Sequence, residues 1–350
     1  LGGKRIAKVM PRTGSVTGYS PGDILHSNIR PYLKKALFAE ATGGASADVL
    51  VIRPKQGVAP RFLFYTVTSD KYFDYVVSGS KGVKMPRGDK RHIMDYKIHL
   101  PELSEQQKIA DFLTAIDERM KKSEKKLELL CQYKKLVMQK IFSRQAYFKD
   151  ENGNISLEWN QKKLGEIGKT YMGLVGKTAA DFGTGSNFVT YMQIYKSSLI
   201  DTSEFGRVEV PSGEKQNKVK KGDVFFTISS ETPAEVGIAS VLLEDVGDTY
   251  LNSFSFGYRA DDRLLLPEFA RYLFHSRDVR RLITRLAQGS TRFNLSKNEL
   301  MKREVLLPEI EEQRKIVDFL GAIDSKIKLE EEALMKVIAF KRSLLQRMFI

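Results

Sequence analysis

Apolar side chains between Ile109 and Ile141 recur at helical spacings: Ile109, Leu113, Ile116, Met120, Leu127, Leu130, Val137 and Ile141. The same pattern returns 207 residues later, at Ile316, Leu320, Ile323, Ile327, Leu334, Val337, Leu344 and Met348. Steps of three and four keep such residues on one face of a helix, and over several heptads they make a coiled-coil seam. Each run follows a proline (Pro101 or Pro308), with Ser104 or Glu311 near its first turn. Glu105 and Glu312 add negative charge there, where the helix dipole favours it. No Pro or Gly interrupts the first run, and only Gly321 interrupts the second. A helix of about 40 residues is about 60 Å long and cannot bury such a stripe alone, so the pattern predicts that the two copies pack on each other. Two unrelated core helices would show similar spacing. Leu100–Ser143 aligns with Leu307–Ile350 without a gap, however, and roughly four positions in ten are identical.

The repeat extends beyond the helices. Between them lies AYFKDENGNISLEWN (146–160), rich in loop formers. A mixed region follows, with strand patterns at VFFTI (224–228) and SFSFGYRA (253–260) and a helical pattern at PEFARYLFHSRDVRRLITRLA (267–287). Pro60, Phe62, Tyr65 and Ser69 precede Pro267, Phe269, Tyr272 and Ser276 by the same 207 residues. SADVLVIRP (46–54) falls opposite SFSFGYRA, and PGDIL (21–25) resembles KGDVF (221–225). The order is therefore domain, helix, domain, helix. The expected boundaries are 1–99, 100–145 (first helix), 146–158 (linker), 159–306 and 307–350 (second helix). The expected class is α+β: two repeated α/β domains separated by two long helices that form an antiparallel coiled coil. A counterpart of Trp159 would fall before residue 1, so the first domain is expected to be N-terminally incomplete.

Composition narrows the partners. The 350-residue chain carries a net charge of +14 with a pI near 9.5, which favours a polyanion such as nucleic acid or an anionic surface. No run of about eighteen apolar residues suggests a membrane span, and the start lacks a signal-peptide core. With Cys131 as the sole cysteine, neither an internal disulfide nor a thiolate cluster can form, and a reducing cytoplasm is expected.

Two domains, each followed by a helix that opens LP-x-x-x-E-Q, resemble the DNA-specificity subunit of type I restriction–modification enzymes. The matching residues are Leu100, Pro101, Glu105, Gln106 and Ile109, then Leu307, Pro308, Glu312, Gln313 and Ile316, together with WNQKKLGEIG (159–168) at the start of the second domain. The resemblance covers almost the whole chain. It implies target-recognition domains that each read one half of a split, asymmetric double-stranded DNA sequence, and an antiparallel helical spacer. It also implies docking of two DNA methyltransferase (modification) subunits, which restriction/translocase subunits join. The specificity subunit itself performs no chemistry and takes no cofactor, and no membrane partner is expected.

Candidate contacts lie in two pairs of segments. LAQGSTRFNLSKNELMKREVLLPE (286–309) offers Gly289 for close backbone approach, Ser290 and Thr291 for phosphates, Arg292 for guanine and Asn294 for adenine, with Gln288 and Lys297 beside them. The equivalent first-domain segment, SGSKGVKMPRGDKRH (78–92), aligns Gly82 with Gly289 and carries Lys81, Lys84, Arg87, Lys90 and Arg91. IRPYLKK (29–35), paired loosely with TISSETPAEVG (227–237), adds Arg30, Tyr32, Lys34 and Lys35. Solvated basic loops and edge-protecting lysines would look alike in sequence. Arg277, Arg280, Arg281 and Arg285 read as the wet face of an amphipathic helix. Phe112 and Phe319, on the outer faces of the helices, are the expected partner contacts.

Enzyme motifs fail. GLVGKT (173–178) has Tyr171 where a P-loop needs glycine, and DFGTGS (181–186) has Phe188 in the third-glycine position of a nucleotide loop. The chain contains no Pro-Pro for a base-methyltransferase element, and His26, His92, His99 and His275 have no metal-ligand spacing. A stand-alone DNA-modifying enzyme with an unrecognised motif, or a coiled-coil scaffold without a DNA role, are the rival readings.

Overall fold

The computed structural model describes residues 16–148 and 159–349. The start of the chain and most of the linker lie outside the described residues. Contacts divide the chain into two compact units, Leu1–Glu128 with Lys328–Ile350, and Leu129–Ile327.

In the first unit, strands β1 (Thr17–Tyr19), β2 (Ile24–Ser27), β3 (Ala36–Phe38), β4 (Gly43–Ala45) and β5 (Val49–Ile52) precede helices α1 (Pro60–Thr66), α2 (Asp70–Ser78) and α3 (Lys90–Met94). The long helix α4 (Leu103–Phe142) begins here. The sheet β3-β2-β5 is antiparallel, and Ile24, Leu63, Tyr72, Phe73 and Val76 form the core beneath it.

The second unit repeats this plan with additions: β6 (Asn160–Lys163), α5 (Leu164–Ile167), β7 (Gly168–Met172), β8 (Phe182–Val189), α6 (Tyr191–Lys196) and β9 (Gly206–Val208). Then come β10 (Val224–Thr227), β11 (Ser229–Ser230), β12 (Ala239–Val241), β13 (Thr249–Leu251) and β14 (Ser255–Ala260). Helices α7 (Pro267–Leu273) and α8 (Arg277–Leu286) lead to β15 (Ala287–Gln288), β16 (Phe293–Leu295), α9 (Lys297–Met301), β17 (Glu304–Leu307) and the long α10 (Ile310–Met348). Its central sheet, β12-β10-β14-β7, is antiparallel around Phe226, Phe256 and Tyr258.

The expected helix over 267–287 is two helices. The chain breaks at Phe274–Ser276, and Ser276 stands in extended conformation as the N-cap of α8, matching Ser69, which accepts from the Tyr72 amide ahead of α2.

The helix pair is antiparallel within each unit, as the apolar stripe requires. In the first unit Leu113, Ile116 and Met120 of α4 meet Val337 and Leu344 of α10. The last seam position is filled by Leu345 and Phe349, whereas Met348 is exposed. In the second unit Ile141 and Phe142 pack with Ile316, Leu320 and Ile323.

Two devices seat each domain on its helices, and each occurs twice at a spacing of 207. The first is the glutamine of the LP-x-x-x-E-Q motif. Gln106 Oε1 accepts from the Ala59 amide at 2.9 Å, and its Nε2 donates to the Gly57 and Pro101 carbonyls. Gln313 does the same with Leu266 (2.9 Å), Leu264 and Pro308. Both are buried, and a buried amide with all these partners fixes one geometry because leaving any of them unpaired costs about 1–3 kcal/mol. The second device is a node of tyrosine, aspartate and lysine. Tyr65 donates to Asp117 at 2.9 Å, and Lys341 pairs with that carboxylate while lying 5.4 Å from the Tyr65 ring. In the other unit Tyr272 donates to Asp324 at 2.8 Å, Lys134 pairs with it at 2.5 Å, and Lys134 lies 5.5 Å from the Tyr272 ring. Each node therefore locks a domain to both long helices.

Candidate nucleic-acid interface

Each unit carries a small platform assembled from distant segments, a three-stranded sheet in the second unit and a pair of single bridges in the first. In the second unit β11, β16 and β15 lie side by side, with Ser229 opposite Asn294 and Asn294 opposite Gln288. In the first unit Ile29 bridges Arg87, and Arg87 bridges Lys81. Arg87 and Lys81 precede Asn294 and Gln288 by 207 residues, and Ile29 precedes Ser229 by 200. The two platforms therefore share one pairing pattern with different side chains. The outer strands turn at Gly82 (φ 100°) and Gly289 (φ 134°). A Cβ on Gly289 would lie 2.1 Å from the Arg292 carbonyl, so this turn requires glycine.

The helix after each platform is also equivalent. Asp89 caps α3 by accepting from the Arg91 and His92 amides, and Ser296 caps α9 by accepting from the Glu299 amide. Lys90 and Lys297 thus occupy the same first-turn position.

The platform of the second unit is held from behind. The Arg280 guanidinium donates to the carbonyls of Gly237 (2.5 Å), Ala234 (2.9 Å) and Val236 (2.8 Å). It is half-buried, not a wet-face residue, and burial lowers its pKa. This corrects the sequence reading, in which all four arginines of α8 faced water. Glu235 accepts from Tyr195 (2.6 Å), Thr232 (2.9 Å) and Ser230 (3.1 Å), and these donors hold its carboxyl below the usual range. Tyr191 donates to the Ser229 carbonyl at 3.0 Å.

The predicted contact residues separate into free and engaged groups. Gln288, Ser290, Thr291, Arg292 and Asn294 are exposed around the second platform. Asn294 donates only a long bond, 3.4 Å, to the Arg292 carbonyl, and Lys297 is half-buried. On the first platform Arg30, Tyr32, Lys35, Lys84, Lys90 and Arg91 are exposed. Arg30 has a left-handed backbone (φ 51°) and donates its amide to Pro86. Three cations are already paired: Lys34 with Asp70 at 2.7 Å and Asp74 at 3.4 Å, Lys81 with Asp89 at 2.6 Å, and Arg87 with Asp48 at 2.8 Å. Sequence spacing could not expose the Lys34 and Arg87 pairs, because Asp70 and Asp48 lie far from their partners along the chain. Phe112 and Phe319 are both exposed, and Phe319 also meets Phe148 edge-on at 5.8 Å. Glu312, unlike exposed Glu105, is buried beside the Trp159 indole (3.4 Å), and burial raises its pKa.

Among the described residues no group of histidines, cysteines and carboxylates could hold a metal ion. No described helix is long and apolar enough to cross a membrane.

Comparison with known proteins agrees with this architecture. The chain is 24% identical over 307 residues to the type I restriction enzyme MjaVIII specificity subunit of Methanocaldococcus jannaschii, covering 81% of this chain and 68% of that one. It is 24% identical over 349 residues to the putative MjaX specificity subunit of the same organism, covering 93% and 76%. A chain from a structural study of complex assembly and conformational transition in a type I R-M system shares the fold, with a TM-score of 0.61 at 21% identity, over 96% of this chain and 84% of that one. The family model described as "Type I restriction modification DNA specificity domain" matches residues 32–130 and 156–338. A twice-repeated domain and helix, matched by that model over most of its length, places this chain in the family of type I restriction–modification DNA-specificity subunits.

Proposed function

We propose that the two platforms are the reading heads of the subunit, each addressing one half of a bipartite double-stranded DNA target. The observation that carries this reading is their equivalence. One backbone arrangement presents Ile29, Arg87 and Lys81 in the first unit and Ser229, Asn294 and Gln288 in the second. Keeping a scaffold while changing its side chains is what reading two different half-sites requires, so the target is asymmetric. Residues 1–99 and 159–306 are the two target-recognition domains, and 100–145 and 307–350 are the helices between them, joined by 146–158.

Within the second head Arg292 suits guanine O6 and N7, and Asn294 or Gln288 suits adenine N6 and N7. Ser290, Thr291 and Lys297 suit phosphate oxygens. Within the first head Arg30, Tyr32, Lys84, Lys90 and Arg91 are available as they stand. Lys34, Lys81 and Arg87 reach DNA only by exchanging a carboxylate for a phosphate, so they contribute less net affinity.

The subunit performs no chemistry itself. Two DNA methyltransferase (modification) subunits supply base methylation and restriction/translocase subunits supply cleavage, on DNA in the cytoplasm. Exposed apolar residues on the long helices support such docking: Phe112 in one unit, and Phe319, Leu129, Tyr133 and Leu136 in the other, because large exposed apolar patches mark interfaces. The test is binding of the full-length chain, assembled with its modification subunits, to a target duplex across a salt series. Affinity should fall steeply and linearly on a log–log plot, by about 0.9 per phosphate contact. A scaffold without a DNA role would show no slope.

A further inference from the structure

The loop 229–237 contains two glutamates with opposite fates. Glu235 is spent on the three hydroxyl donors of Tyr195, Thr232 and Ser230. Glu231 is exposed, and among the described residues it is in no ion pair. Its position follows from strand register. Ser229 faces Asn294 and Ser230 faces Phe293, the last pair of this ladder, and Glu231 and Arg292 are the residues that adjoin that pair at the same end of the platform. Arg292 is also exposed and, among the described residues, unpaired with any carboxylate. The segment that carries Glu231 is fixed on both sides: by Tyr191 on the Ser229 carbonyl and by Arg280 on the carbonyls of Ala234, Val236 and Gly237. A carboxylate has thus been left free and placed by a rigid frame at the edge of a platform offered to a polyanion.

We propose that Glu231 is a base-reading residue that accepts a hydrogen bond from an exocyclic base amine in the major groove, cytosine N4 or adenine N6. This rests on the reading of the platform as DNA-facing. A carboxylate is acceptor-only, and in the major groove only these two amines donate, while guanine presents two acceptors and thymine an acceptor and a methyl group. Each base pair carries one such amine, and its place across the groove differs between A·T, T·A, G·C and C·G, so a fixed carboxylate meets a donor in some pairs and is repelled by base acceptors in the others. Glu231 therefore costs general affinity and returns it as discrimination, as exclusion of wrong partners requires. Arg292 beside it is donor-only and selects the complementary kind of edge. The first platform has Pro31 at the matching position, 200 residues earlier, so this acceptor belongs to one half-site alone.

The experiment is methylation mapping in a host that expresses the full chain with its modification subunits, for the wild type, Glu231→Ala and Glu231→Gln. It is paired with affinity measurements on a duplex lacking the target. Glu231→Ala should relax one base-pair position of one half-site, with discrimination falling about tenfold or more. Its affinity for the non-target duplex should rise. Glu231→Gln, which keeps a carbonyl acceptor, should relax the same position less. A motif unchanged in both variants overturns the assignment, as does relaxation of a position in the other half-site. Gln288→Ala, Arg292→Ala and Asn294→Ala separate the levels. If they alter the motif while the Glu231 variants do not, only this inference fails, and if they too leave it unchanged, the reading of the platform fails.

Discussion

His26→Phe is the perturbation whose outcome the internal repeat predicts most sharply. GDILHSN (22–28) and GDVFFTI (222–228) occupy the same strand in the two units, so His26 stands where the second unit has Phe226. Phe226 stacks on Phe256 at 5.2 Å and meets Phe274 edge-on. His26 stacks on Phe73 at 5.4 Å and meets Tyr72 edge-on, but it is fully buried and neither ring nitrogen has a hydrogen-bond partner among the described residues. Burial pushes its pKa down to about 4, against a smaller upward pull from its own backbone. The unfolded chain titrates near pH 6.5. The folded state therefore binds fewer protons than the unfolded state between those values, and stability falls as pH falls through this window. Each pH unit is worth about 1.4 kcal/mol, giving about 2 kcal/mol by pH 5 and about 3 kcal/mol once pH passes below 4. At pH 7 the substitution also removes two unpaired polar atoms, worth about 1–3 kcal/mol. Thermal or urea unfolding at pH 7, 6 and 5 should show His26→Phe stabilising the first unit, by an increment that grows toward pH 5. An increment independent of pH, or one that shrinks on acidification, would refute the reasoning.

Other outcomes follow from the seating contacts. Gln313→Leu strands the Leu266 amide and two carbonyls in the interior, so the second unit should lose at least about 1–3 kcal/mol in a denaturant titration. Lys134→Met leaves Asp324 without its ammonium, although Arg271 lies 3.2 Å away; the equivalent Lys341→Met leaves Asp117 with no second cation among the described residues and should be the more destabilising of the two by differential scanning calorimetry. Four residues inserted within Lys121–Lys126 lengthen α4 by about 6 Å, which at about 3.4 Å per base pair should widen the unread gap of the target by one or two base pairs. Methylation mapping would show the shift, and an unchanged gap would separate the helices from spacing.

The long helices and the repeat were legible because both are periodic: the seam at steps of three and four, and the duplication at 207 residues. Tyr65, Asp117 and Lys341 were legible in principle, since each is identical to its repeat partner in Tyr272, Asp324 and Lys134, yet only three-dimensional packing joins residues so far apart into one node. The platforms were only half legible. Gly82 and Gly289 marked the outer turns, but the inner segment, Ile29 or Ser229, follows an offset of 200 rather than 207 and joins from far along the chain, and such non-local pairing leaves no local pattern. Arg280 was misread because its helical spacing matches that of exposed Arg281 and Arg285, and periodicity cannot tell which guanidinium finds three carbonyls. The break before α8 had a signal, the Ser-Arg-Asp at 276–278 whose residue types favour a helix start, hidden inside a continuous amphipathic run.

The central claim is that each platform reads its own half of the target. The most direct test is methylation mapping of the complete complex carrying Gln288→Ala, Arg292→Ala and Asn294→Ala together. The account predicts a motif relaxed or lost at one half-site, with the other half and the spacing between them retained. A motif unchanged throughout, or altered equally in both halves, would contradict it.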